Sequence, residues 1–153
     1  MSRSEPLSYI EPTLEAGRLF MQRGLTGPIA ILNLLRFKDT ADYSAHPELA
    51  LAMPISGAEA FDRYVRHTLP YLRETGGDVL FLGAGGPFLI GPADERWDMA
   101  MLVRQASVAS FLSFAGNERY LAGLGHRVAA IEDSRLLPLS EMSLPLNSNE
   151  PRS

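Results

Sequence analysis

Residues 56–139 read SGAEAFDRYVRHTLPYLRETGG (56–77), DVLFLGAGGPFLIGPADER (78–96), WDMAMLVRQA (97–106) and SVASFLSFAGNERYLAGLGHRVAAIEDSRLLPL (107–139). Helix and strand signals alternate through this stretch without gaps. Ser56 and Glu59 form a capping box, in which the Ser hydroxyl accepts from the amide three residues on and the Glu carboxylate reaches back to the cap amide. Phe61, Tyr64, Val65, Thr68, Leu69 and Leu72 then recur at the spacing of a helix with one buried face. Asp62, Arg63, Arg66 and Arg73 fall on the other side, Pro70 predicts a bend, and Gly76-Gly77 predicts the end.

The segments that follow are too short and too rich in glycine at their flanks to be helices. Residues 78–83 and 88–90 read as one strand broken by a bulge, or as a small hairpin. After the turn at residues 92–96, residues 97–104 form a strand that is mostly apolar on both sides, which belongs in the middle of a sheet covered on both faces. Ser107 caps a short helix through Phe111, Leu112 and Phe114. Asn117 caps a second with Tyr120, Leu121, Leu124, Val128 and Ile131 on one face, and residues 134–139 close as a strand.

Upstream, residues 28–37 (PIAILNLLRF) are apolar on both faces, and their length and β-branched start favour another central strand. The order from 28 to 139 is then strand, helix, two strands, helix, strand. That is the βαββαβ plan of the ferredoxin-like α+β fold, a four-stranded antiparallel sheet with both helices on one face. The helices leave the other face bare, and a second subunit presenting the same face is the economical cover, so a homodimer through the sheet face is expected.

The chain divides into an N-terminal extension (1–27) with a helix over residues 11–23, a ferredoxin-like domain (28–139) interrupted by an insert (38–54), and a disordered tail (140–153). At 153 residues there is no room for a second domain. A net charge of -4 with 21% charged residues offers no basic patch to follow phosphates, so nucleic acid is not an expected partner. With no cysteine the chain has neither disulfides nor thiolate chemistry, and the reducing cytoplasm is the default location. No run of about 18 apolar residues is available to span a membrane.

The succession Gly76-Gly77, strand, Gly91, Trp97, strand, Ser107, then Asn117-Glu118-Arg119-Tyr120, His126-Arg127 and Asp133-Ser134-Arg135 resembles the domain of unknown function numbered 1330. The resemblance covers about residues 28–139 and departs in the N-terminal segment and the 38–54 insert. It implies the dimeric α+β barrel superfamily, whose members include cofactor-free monooxygenases, lactone isomerases, chlorite-dismutase-like haem proteins and simple ligand binders. Fold alone does not choose among these activities.

The residues exclude more chemistry than they select. Gly83 to Gly86 is followed by a strand rather than a helix, which a nucleotide loop would need. His46, His67 and His126 share no metal-ligand spacing, and no serine lies in a nucleophile elbow, so no metal, cofactor or hydrolase triad is expected. Polar residues inside apolar central strands are the stronger clue, because a buried polar group must be hydrogen-bonded to protein or ligand. Asn33, Arg36, Trp97 and Arg104 interrupt or bracket the two central strands, and His126 and Arg127 lie on the last helix. One reading is a structural network, with Arg36 or Arg104 paired to Asp98 or Asp133. The other is a pocket between sheet and helices that binds an anionic or aromatic small molecule through Asn33, Arg36, Trp97, Arg104 and Arg127, with His126 as a catalytic proton-transfer group. Strand alternation sets Asn33 against Arg36, and Trp97 against Arg104, unless a bulge intervenes. A non-catalytic binder and a cofactor-independent monooxygenase- or isomerase-like enzyme both remain open. Gly123 and Gly125 cost about 1 kcal/mol each relative to Ala in a helix, which predicts either a close approach there or a helix break.

Overall fold

The computed structural model describes residues 8–145. Its elements run in the order α1 (Leu14–Gln22), β1 (Ile29–Phe37), α2 (Gly57–Glu74), β2 (Asp78–Pro87), β3 (Arg96–Gln105), α3 (Val108–Ala115), α4 (Glu118–Leu121), α5 (Leu124–Ala130) and β4 (Ile131–Ser140). The four strands form one sheet in the order β2-β3-β1-β4, and each pairing is antiparallel. This is the α+β ferredoxin-like arrangement, with the two most apolar strands at the centre.

The capping box forms as its residues require: Glu59 N donates to Ser56 Oγ at 3.0 Å and Ser56 N to Glu59 Oε1 at 2.9 Å. The helix it starts continues as one element through Pro70. Its inward stripe of Ala60, Phe61, Tyr64 and Leu72 packs with Leu35, Met101, Phe114, Tyr120, Ala130 and Ile131 into the core.

Register fixes which side chains face the helices. The row Leu82, Met101, Asn33, Leu136 crosses the four strands on the helix side, and the adjacent row Phe81, Leu102, Leu32, Leu137 crosses them on the open side. Phe81 and Leu137 remain 62% and 52% exposed in the single chain. The sheet therefore presents an apolar band on the face that no helix covers.

Two sequence expectations are corrected. The expected strand segment at residues 88–90 lies outside the sheet, and its side chains stand in solvent, with Leu89 at 98% and Ile90 at 91% exposure. The pairing with β3 stops at Pro87, whose missing amide ends the ladder. The single helix expected after Asn117 is two, α4 and α5, and Ile131 opens β4 rather than closing the helix. Gly123 marks the break, as the cap residue of α5.

Residues 38–54 fold back onto the end of α5. Lys38 N donates to Ala130 O at 2.8 Å and Asp42 N to Ala129 O at 2.9 Å, and one 3-10 turn spans Pro47–Leu49. The N-terminal helix is α1, capped by Thr13, and none of its residues is buried. It is tied to the body by an edge-on contact between Phe20 and Phe111 and by Arg23 Nη1 donating to the Pro138 carbonyl at 2.7 Å. Residues 141–145 carry no regular structure, and the rest of the expected disordered tail lies outside the described residues.

Candidate functional site

The six residues singled out in the sequence do not converge on one pocket, which corrects that expectation. Asn33 faces the helices and is buried, its Nδ2 donating to the carbonyls of Ile31 (3.1 Å) and Met101 (3.4 Å). Arg36 faces the open side. Arg104 shares that side but sits at the far end of the sheet, paired with Ala30. Ala30 and Arg36 are six residue steps apart along β1, about 20 Å at the usual rise. Arg104 donates to the Gly76 carbonyl at 3.2 Å. Arg127 reaches across the β4 edge to the Ile10 carbonyl (2.6 Å) and Ser134 Oγ (3.4 Å). His126 points to the insert instead, where Nδ1 lies 2.7 Å from Tyr43 Oη.

Only Arg36 and Trp97 meet. Regular alternation from Met101 would send Trp97 to the helix side, but the β1–β3 pairing ends at Leu35 and Met99, and the Asp98 carboxylate takes the Phe37 amide at 2.8 Å. Trp97 nevertheless lies under the guanidiniums of Arg36 (5.3 Å to the ring centroid) and Arg135 (5.0 Å). Arg135 also lies over Tyr9 at 4.6 Å. Asp133, 3% exposed, anchors the group: it accepts from Tyr9 N, Ser134 N and Arg135 Nη1, each at 2.8 Å, and from Arg36 Nη2 at 3.4 Å. The structural network between Arg36 and Asp133 is thus present, and it pins the N-terminal segment to the edge of the sheet.

The space between sheet and helices lies elsewhere. A cleft of about 630 Å³ opens where the first turn of α2 faces the end of β1, the middle of β2 and the start of β3. Phe37, Ala58, Leu82, Ala84 and Met99 supply apolar walls, and Lys38, Asp39, Arg96 and Asp98 stand around them. Arg96 Nη1 is paired with Asp98 Oδ1 at 2.7 Å. Two cations and two carboxylates balance, so shape and apolar surface dominate what this cleft selects. Sequence reasoning missed it because its lining comes from four elements far apart in the chain; the acid–base alternation of Lys38-Asp39 and Arg96-Asp98 at strand ends was the available signal.

The helix-side flank next to α5 carries a second polar group. Burial, with the charge of Arg63 and the neighbouring His67, holds the His126 imidazole below its ordinary pKa, while burial pushes the Tyr43 phenol up against the opposing effect of Arg63. His67 Nε2 lies 2.7 Å from the Arg119 carbonyl and therefore carries the proton of that bond. Behind them Tyr64 and Tyr120 share a hydroxyl bond of 2.8 Å, and burial raises the Tyr120 phenol. The close approach predicted at the two glycines is made by histidines. A Cβ at Gly123 would stand 2.2 Å from His67 Cδ2, and one at Gly125 would stand 2.6 Å from His46 Cγ.

With fold and site geometry in place, the class is that of small ferredoxin-like α+β proteins with a bare sheet face. The chain belongs to the family of the RPA0582 protein of Rhodopseudomonas palustris, a protein of unknown function. It is 35% identical to that protein over 90% of this chain and 100% of the other, with a TM-score of 0.76. The crystal structure of methylated RPA0582 gives the same identity and TM-score over 90% of this chain and 98% of that one. No protein-family model and no curated protein matches the chain.

Proposed function

We propose that this chain is a cytoplasmic homodimer of the domain-1330 type, closed through the open sheet face, that binds a small molecule with an aromatic or apolar body in the cleft between α2 and β2–β3. The observation that carries the binding reading is the cleft of about 630 Å³ with its five apolar walls, a size that suits a compact organic ligand. Its balanced charges favour an aromatic body over an anion. The Asp98 carboxylate is engaged by both Arg96 and the Phe37 amide, which suits a positioning role better than proton transfer. The band Phe81, Leu102, Leu32, Leu137 supports the dimer, since an exposed apolar row across a whole sheet is what a self-complementary interface uses.

Native mass spectrometry of freshly purified protein reports subunit count and retained ligand together. Amide chemical-shift mapping with a neutral aromatic probe, benzamide, then locates binding. Shifts at Phe37, Ala58, Ala84 and Met99, abolished by Ala84→Phe, are expected. Saturable binding that leaves these four positions unmoved would overturn the cleft, and a monodisperse monomer at micromolar concentration would overturn the dimer.

A further inference from the structure

We infer that the surface where α2, α5 and residues 38–54 meet is a separate site for a small oxyanion, held by Arg63, His67 and His126. Three cationic or protonatable groups gather here while the carboxylates beside them on α2 and the insert are committed elsewhere, Asp42 accepting from Ser44 N at 3.0 Å, and Glu118 at the start of α4 is the carboxylate of this flank left without a side-chain partner among the described residues. On α2, Glu59 lies one turn before Arg63, but its carboxylate caps Ser56 N at 2.9 Å. Asp62 is paired with Arg66 at 2.7 Å. From the insert, Glu48 faces His46 at 3.5 Å, and from the end of α2, Glu74 faces Arg119 at 3.4 Å. Arg63 is left exposed without a salt bridge among the described residues, one turn before His67 on α2, whose ring lies against Gly123, and Gly123 O in turn accepts from His126 N at 3.1 Å. Arg127, on α5 beside His126, is held by Ile10 O and Ser134 Oγ.

The hydrogen bonds already made decide which nitrogens remain. His126 spends Nδ1 on Tyr43 Oη, so Nε2 is the nitrogen left for a ligand. His67 spends Nε2 on the Arg119 carbonyl, so Nδ1 is left. A guanidinium fork and two imidazoles suit a carboxylate, phosphate or sulfate group, whose negative charge would be matched by proton uptake from solvent onto an imidazole. Gly123 serves this geometry, since a side chain there would displace the His67 ring.

The test uses sulfate, which keeps its charge between pH 6 and 8, and acetate, which separates tetrahedral from planar oxyanions, each at constant ionic strength with chloride as counter-anion. Imidazole signals of the three histidines are followed by NMR. The expected result is saturable movement of His67 and His126, affinity about tenfold higher at pH 6 than at pH 8, and a loss of at least about tenfold in Arg63→Gln. Preference for sulfate or for acetate identifies the ligand geometry. Arg63 is exposed, so the variant keeps the fold, and its thermal unfolding checks this. No saturable movement with either anion at pH 6, unchanged affinity in folded Arg63→Gln, or equal affinity at both pH values would overturn the site. Benzamide binding in the cleft is a separate readout, so failure of one proposal is distinguishable from failure of the other.

Discussion

Replacing Asp133 with Ala removes the acceptor on which the open-face cluster converges. The carboxylate takes two backbone amides at 2.8 Å, from Tyr9 and Ser134, and these are the larger losses because a charged acceptor strengthens each bond. The guanidiniums contribute less: Arg135 is 43% exposed and screened by water, and Arg36 stands at 3.4 Å. Two amide bonds at about 1.5 kcal/mol each, with about 0.5 kcal/mol for each screened arginine, give about 4 kcal/mol; water entering around the freed Tyr9 amide brings the expectation to about 3 to 4 kcal/mol. For a chain of this size that is a fall in melting temperature of about 10 °C. Trp97 is the single tryptophan and lies under both guanidiniums, so its fluorescence during urea unfolding, at matched protein concentration, reports the cluster directly. Asp133→Asn, which keeps an acceptor but loses the charge, should cost about half as much. A loss below about 1 kcal/mol for Asp133→Ala, with a cooperative transition and unchanged slope, would refute the view that this carboxylate is the keystone of the N-terminal attachment.

Other expectations follow from single features. Gly123→Ala should destabilise the protein by about 1 to 3 kcal/mol through overpacking against His67, and His67→Ala in the same chain should recover part of that loss; additive costs in urea melts would contradict the contact. Leu102→Glu places a charge in the middle of the open-face band and should shift light-scattering mass from dimer toward monomer, whereas an unchanged dimer would move the interface elsewhere. His126 is held below its ordinary pKa of 6.5, so the unfolded chain binds more protons than the folded one between that lowered value and 6.5. Stability therefore falls as pH drops through this window, and His126→Asn should flatten that part of the stability curve; an unchanged slope would show that His126 is not a source of it.

The core plan was legible in the sequence because it rests on local periodicity. The capping box of α2, the two-sided apolarity of β1 and β3 and the cap at Ser107 are properties of neighbouring residues, and their order leaves few topologies open. The residues expected to form a site were less informative, because a polar interruption in a strand shows that a partner exists without showing which one. Asn33 found two backbone carbonyls, and Arg104 and Arg127 found carbonyls near opposite ends of the molecule.

Tertiary structure alone decided the rest. Trp97 lies under Arg36 of β1 and Arg135 of β4, and no pattern in residues 97–104 specifies those partners. Tyr43 reads in sequence as packing, yet the fold of the insert brings its hydroxyl to His126, 83 positions away. The glycines at 123 and 125 signalled a close approach, and only the folded chain identified His67 and His46 as what approaches. Local sequence thus determined which segments are helix and strand and which faces are apolar, through interactions spanning a turn or two. The cleft and the charged flank join residues from elements far apart in the chain, whose relative placement is set by packing of the whole core rather than by any one segment.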